Sequence, residues 1–171
     1  MDLKILISEE DITKRVREMA REIRDDYDGR EIVVVGILKG CFMFLADLTR
    51  AIDLPMNIGF MGLRSYGSAT ETSGVVEIAA DLSHPIQDKD VLIVEDIVDT
   101  GLTMKYLIDN LSTRGPTSLK VCTLLHKPDR KRVEVPLDYV GFTVPDKFVV
   151  GYGLDHDQKL RNLPYIACLE E

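Results

Sequence analysis

The stretch VLIVEDIVDTGLT, Val91 to Thr103, gathers residues that could do chemistry together. A short apolar run ends in Glu95 and Asp96, and Asp99-Thr100-Gly101-Leu102-Thr103 follows two residues later. If the run is a strand of an open α/β sheet, ligands bind beyond its carboxyl end, where these side chains lie. Three carboxylates crowded there repel one another unless a cation or a ligand sits between them. The turn behind them has a complementary use. Gly101 lets the backbone approach an anion closely. The amides that open a helix, joined by the hydroxyls of Thr100 and Thr103, form a phosphate cradle. A plain helix cap would account for Asp99 or Thr100 alone, but not for Glu95 and Asp96 together. The segment is therefore read as a site.

Other phosphate-handling motifs are absent. No G-x-x-x-x-G-K-[ST] occurs, and no G-x-G-x-x-G follows a strand pattern, so a P-loop and a dinucleotide cofactor are both set aside. Cys41, Cys122 and Cys168 lie far apart in apolar stretches, which suits buried thiols rather than a zinc site or disulfides. His84, His126 and His156 show no pairing at ligand spacing and are given no metal role.

The elements that must position the motif can be read around it. Leu119 to Leu125 has the same apolar, strand-like character as Val91 to Glu95. Met104, Leu107, Ile108 and Leu111 recur at helical spacing between them, and Arg114-Gly115-Pro116 stops that helix. Strand, helix, strand of this composition is a parallel βαβ unit. Glu31 to Leu38 reads as another doubly covered strand, and Tyr139 to Val144 and Phe148 to Tyr152 as further strands. Ser8 should open a helix to about Tyr27, with Ile12, Val16, Met19, Ala20 and Ile23 on its inner face. Cys41 to Ile52 looks helical but apolar nearly all round, which predicts deep burial or contact with another subunit. Gly62 to Gly74 is rich in Gly, Ser and Thr, and is expected to be an active-site lid.

The chain has 171 residues, 45% of them hydrophobic and 29% charged, which suits one globular domain. No apolar run approaches a membrane span, and the acidic, short start does not suit a secretory signal, so a cytoplasmic location with no membrane partner is expected. A net charge of −8 argues against nucleic acid as the main partner. An acidic protein that handles phosphate must concentrate positive charge locally.

The motif resembles the phosphoribosyl pyrophosphate signature of type I phosphoribosyltransferases: an apolar strand, two acids, then D-T-G-x-T. Leu38-Lys39-Gly40, Arg64-Ser65-Tyr66, Lys127 and PDKFVVGYGLD with Arg161 resemble the hypoxanthine–guanine branch, in the same order. The similarity runs from about Leu3 to Leu169. Cys41 departs from it, since many relatives have a second glycine there.

That resemblance implies roles the side chains can perform. Glu95 and Asp96 would hold the ribose 2′- and 3′-hydroxyls. Asp99 would exchange a proton with N7 of the purine, leaving N9 as nucleophile. Thr100, Gly101, Leu102 and Thr103 would bind the 5′-phosphate. Lys39 and Gly40 would meet the pyrophosphate, with Arg161 gripping it, and a cis peptide at Leu38-Lys39 is common in relatives. Lys127 would donate to the 6-oxygen of the base, Phe148 would stack on its ring, and Val149 would offer backbone groups. Ser65 and Tyr66 would ride on the lid. Asp155, with Glu95 and Asp96, would help hold magnesium, which favours a few carboxylates plus substrate oxygens.

The expected fold is a single α/β domain over residues 1–171. A central, mainly parallel sheet carries helices on both faces, and chain-terminal segments form a small hood. Phosphoribosyl pyrophosphate and a 6-oxopurine are the implied partners, in a homo-oligomer (dimer or tetramer). Two rivals remain: a sister enzyme for another base, and a non-enzymatic regulator that binds RNA, which −8 disfavours.

Overall fold

The computed structural model describes residues 2–65 and 76–170. In chain order these form β1 (Asp2–Ile7), α1 (Glu9–Tyr27), β2 (Ile32–Leu38), α2 (Phe42–Ala51), β3 (Met56–Ser65), β4 (Val76–Ala80), β5 (Asp90–Val98), α3 (Leu102–Ser112), β6 (Ser118–His126), β7 (Tyr139–Thr143), β8 (Val149–Val150) and β9 (Ile166–Glu170). A 3-10 turn, Pro128–Arg130, follows β6.

The alternation of side chains along β2, β5 and β6 sets the layers. Val34, Leu92, Val94, Cys122 and Leu124 face one way, against the inner side of α1 and Phe44, Leu45 and Leu48 of α2. Val35, Val91, Ile93 and Val121 face the other way, against Met104, Leu107 and Leu111 of α3. Each strand is thus apolar on both sides, as a parallel strand between two helical layers must be. Burying each large side chain contributes about 1.5–3 kcal/mol.

The main sheet runs β4-β3-β2-β5-β6-β7. All neighbours are parallel except β3–β4, an antiparallel edge pair. β5 lies at its centre, so its carboxyl end opens in the middle of one rim. A second sheet, order β1-β9-β8, joins the two chain ends in antiparallel pairs. This is the hood expected from the fold class.

Ser8 caps α1 as expected, accepting the Asp11 amide at 3.1 Å. Arg15 pins α1 to β7 by donating to the carbonyls of Val140 (2.7 Å) and Gly141 (3.0 Å).

Three expectations need comment or correction. Helix α2 buries Phe44, Leu45 and Leu48, while Phe42, Ala46, Arg50 and Ala51 are exposed, so of its two accounts deep burial of the whole helix falls. Gly62 to Ser65 is not loop but the end of β3, paired with β4 from Ala80 to Val76. Tyr66 and the remainder of the expected lid, to Gly74, lie outside the described residues. Phe148 to Tyr152 forms a strand only at Val149–Val150, because Gly151, Tyr152 and Gly153 turn into positive φ (95°, 49° and 100°).

Candidate active site

Strand β5 carries Glu95 and Asp96 out of the core while still hydrogen-bonded to its neighbours. Glu95 pairs with Thr123 of β6 and is 7% exposed. Burial, then the neighbouring Asp96, pushes the Glu95 carboxyl well above the usual range, and burial also raises Asp96. Arg161 acts on Asp96 in the opposite direction. Nothing in the apolar sheet needs these acids. They are held ready for a group that neutralises them or donates hydrogen bonds to them.

Gly101, at φ 85°, is the N-cap of α3 and supplies no side-chain cap. The side chains before it shape the turn. Asp99 accepts the amide of Thr100 at 2.5 Å, and Thr100 Oγ1 accepts that of Leu102 at 3.3 Å. Beyond the Leu102 amide, the opening amides of a helix such as α3 are the groups an anion can use. Residues 95–101 with Thr103 and Met104 line a cavity of about 220 Å³.

The turn is braced from behind. The Thr100 carbonyl accepts the amides of Arg132 (2.9 Å) and Val133 (3.2 Å), and that of Val98 accepts the Lys127 amide at 2.9 Å. A Cβ on Gly101 would lie 2.7 Å from the Val133 carbonyl, so only glycine allows this approach. The brace also fixes Lys127, which is 6% exposed. Its ammonium is pulled below the ordinary lysine range by burial, against the opposing pull of Asp146 and Asp99.

Two further loops close on the acids. The loop after β2 begins with a cis Leu38-Lys39 peptide. A Cβ on Gly40 would overlap the Asp96 carboxylate, and one on Gly153 would overlap the Gly40 carbonyl. The β5 rim, the 38–41 loop and the hood loop are thus stacked backbone against side chain. Arg161 donates to the Gly153 carbonyl at 2.8 Å and lies 3.3 Å from Asp155. Lys39 reaches the same cluster through Gln158.

Val149 is buried in β8, whereas Phe148 is 53% exposed, with its ring edge-on to His156 at 5.6 Å. Ser65 ends β3. Asp155 lies beside Arg161 and accepts the Gln158 amide. Among the described residues no three acids, histidines or cysteines cluster together. Gln158, Gly153 and the bracing amides of Arg132 and Val133 were not visible in sequence, since each acts through a contact distant along the chain.

A doubly covered parallel sheet with a D-T-G-x-T turn at its central strand defines a class. Residues 5–157 match the phosphoribosyl transferase domain family, and the chain belongs to it. The hypoxanthine-guanine phosphoribosyltransferase of Mycobacterium avium is 51% identical over 99% of this chain and 87% of its own length. That of Aquifex aeolicus is 51% identical over 99% of this chain and 96% of its own length. A crystal structure of a hypoxanthine-guanine phosphoribosyltransferase from Bacillus anthracis matches with a TM-score of 0.95 at 47% identity, covering 99% of this chain and 100% of that one.

Proposed function

We infer that this chain transfers the phosphoribosyl group of 5-phosphoribosyl 1-pyrophosphate to N9 of hypoxanthine or guanine. The products are IMP or GMP and pyrophosphate, and the reaction salvages purines. The observation that carries the reading is buried Glu95 and half-buried Asp96 beside a helix start suited to an anion, with Asp99 close enough to act on the Lys127 ammonium.

The residues then divide the work. The amides and hydroxyls from Thr100 to Thr103 hold the 5′-phosphate, and Glu95 and Asp96 accept hydrogen bonds from the ribose diol. Lys39, the Gly40 backbone and Arg161 hold the pyrophosphate. Lys127 donates to the purine 6-oxygen, Phe148 covers the ring and Val149 presents its backbone to the edge. Asp99 takes the proton from N7 as the N9 lone pair attacks the anomeric carbon. The bond to the pyrophosphate oxygen breaks, and its electron pair leaves with the pyrophosphate. Ser65 and Tyr66 belong to the segment that would cover the reacting centre and exclude water.

Magnesium fits this donor set. Buried Glu95 and half-buried Asp96, beside a substrate rich in phosphate oxygens, offer the mixed coordination this ion favours. It would neutralise charge on the leaving pyrophosphate. Asp155, with Glu95 and Asp96, would help hold the ion. Exposed Phe42 on α2, with exposed Ile58 and Phe60 on β3, supports a homo-oligomer, dimer or tetramer. Sedimentation as a 19.2 kDa monomer at high concentration would refute that. A cytoplasmic site of action agrees with the lack of any membrane-spanning helix among the described residues.

A panel of free bases with magnesium phosphoribosyl pyrophosphate tests the reading. An ammonium offers only donors, so the 6-amino group of adenine would leave Lys127 unpaired. Such mismatches reject a substrate by about 10⁴. Hypoxanthine and guanine should turn over and adenine scarcely at all, and Lys127→Ala should narrow the gap. Equal kcat/KM for adenine and hypoxanthine in the unmodified protein would overturn the base assignment.

A further inference from the structure

Gln158 lies in the hood loop and touches two cations that reach it from different elements. Its Oε1 accepts from Lys39 Nζ at 3.3 Å and from Arg161 Nη2 at 3.1 Å. Lys39 is 119 residues away along the chain, on the loop after β2. One amide oxygen therefore ties that loop to the hood.

The loop is shaped to deliver this side chain. Asp157 and Gln158 are consecutive non-glycine residues with φ of 51° and 63°. His156 and Lys159 exchange backbone hydrogen bonds of 3.0 Å across them. The Gln158 amide donates to Asp155 Oδ2 at 2.8 Å, and the other oxygen of that carboxylate lies 3.3 Å from Arg161 Nη2. A left-handed non-glycine residue is unfavourable unless its surroundings hold it. Here two backbone bonds and a carboxylate do so.

The consequence is electrostatic. Two long cationic side chains that meet at one place repel, and without a shared partner each gains freedom by swinging into water. An acceptor between them offsets part of the repulsion and fixes both heads before an anion arrives. Ordering that is complete before binding is not charged against affinity.

We propose that Gln158 is a positioning residue that holds Lys39 and Arg161 as one pre-formed pair for the pyrophosphate group. This rests on the reading above that those two cations bind pyrophosphate.

Titration calorimetry with magnesium pyrophosphate tests it on the full chain. The proteins compared are the unmodified one, Lys39→Ala, Arg161→Ala, Gln158→Met and Gln158→Glu. Methionine matches the length of glutamine and removes the acceptor. Loss of two modest hydrogen bonds predicts roughly three- to tenfold weaker pyrophosphate binding by Gln158→Met. In turnover, KM for phosphoribosyl pyrophosphate should rise by a similar factor while kcat changes less than twofold. Gln158→Glu keeps an acceptor at the same reach and should lie nearer the unmodified protein than Gln158→Met does. An unchanged melting temperature in Gln158→Met separates positioning from folding. If the two alanine variants weaken binding and Gln158→Met does not, the positioning role is refuted while the pyrophosphate reading stands. If neither alanine variant weakens binding, that reading fails and the inference with it.

Discussion

The two sides of the site are built from unlike materials. On one side β5 passes into α3, and both elements are anchored by buried residues (Val91 to Val94 before the acids, Met104, Leu107 and Leu111 after the turn). On the other side the hood loop, residues 151–161, has no strand of its own. Tyr152 and Leu154 anchor its start in the core, and polar pins hold the rest: the Tyr152 amide to the Leu163 carbonyl at 2.8 Å, that of Gly153 to the Arg161 carbonyl at 2.9 Å, and Arg161 back to Gly153. The first region takes its rigidity from the core and can hold charges that destabilise it. The second, beyond Leu154, is held through the site itself, by Gly40, Lys39 and Asp155. Changes on the β5 side should therefore separate activity from stability, while changes in the hood should affect both.

The largest expected effect lies on the β5 side. Asp99→Asn keeps the size and the hydrogen bond to the Thr100 amide but cannot take a proton. A positioned acid or base contributes about 10²–10⁴-fold. Turnover should fall by that factor, with the melting temperature and phosphate affinity nearly unchanged. Full turnover in an assay limited by the chemical step would leave Asp99 with only its turn-forming role.

The hood should respond differently. Gly153→Ala places a Cβ against the Gly40 carbonyl, at a backbone φ of 100° that side chains rarely adopt. Steric conflict and strain together predict a loss of about 2–4 kcal/mol. Because the displaced partner is Gly40, pyrophosphate affinity should fall in step with stability. Chemical denaturation and pyrophosphate titration of one preparation would check this. A variant that lost stability but kept full affinity would show the hood to be independent of the 38–41 loop.

The same contrast governs what the sequence disclosed. Glu95, Asp96 and the Asp99–Thr103 turn are contiguous, so their chemistry could be read from spacing, and the apolar runs around them placed β2, β5, β6 and α3. The roles proposed for Phe148, Val149, Asp155 and Arg161 came only from family resemblance, because no spacing pattern in their segment points to a ligand. Strands β1, β3, β4 and β9 went unread. Met56 to Ser65 mixes glycines, Asn57 and Arg64 with apolar residues, and only pairing with β2 reveals it as a strand. The composition of Gly62 to Gly74 suggested a loop across Gly62 to Ser65, where glycine and serine are tolerated by the ladder to β4.

The smallest expected effect is also the one with an unusual sign. Burial and Asp96 raise the Glu95 carboxyl, so the folded protein binds that proton more tightly than the unfolded chain does. The stabilisation is fully present below the ordinary glutamate value of about 4.3, and is lost as pH rises from there through the raised folded value. Glu95→Gln cannot ionise and escapes that loss. Near pH 4 the two proteins should melt alike. By pH 8 the variant should be the more stable of the two. Its KM for phosphoribosyl pyrophosphate should rise, because one acceptor for the ribose diol has lost its charge. Melting curves from pH 4 to 8 read the first effect and steady-state kinetics the second. A variant less stable than the parent at pH 8 would mean that the acids are already neutralised within the fold, and the β5 side would then not be the strained platform described.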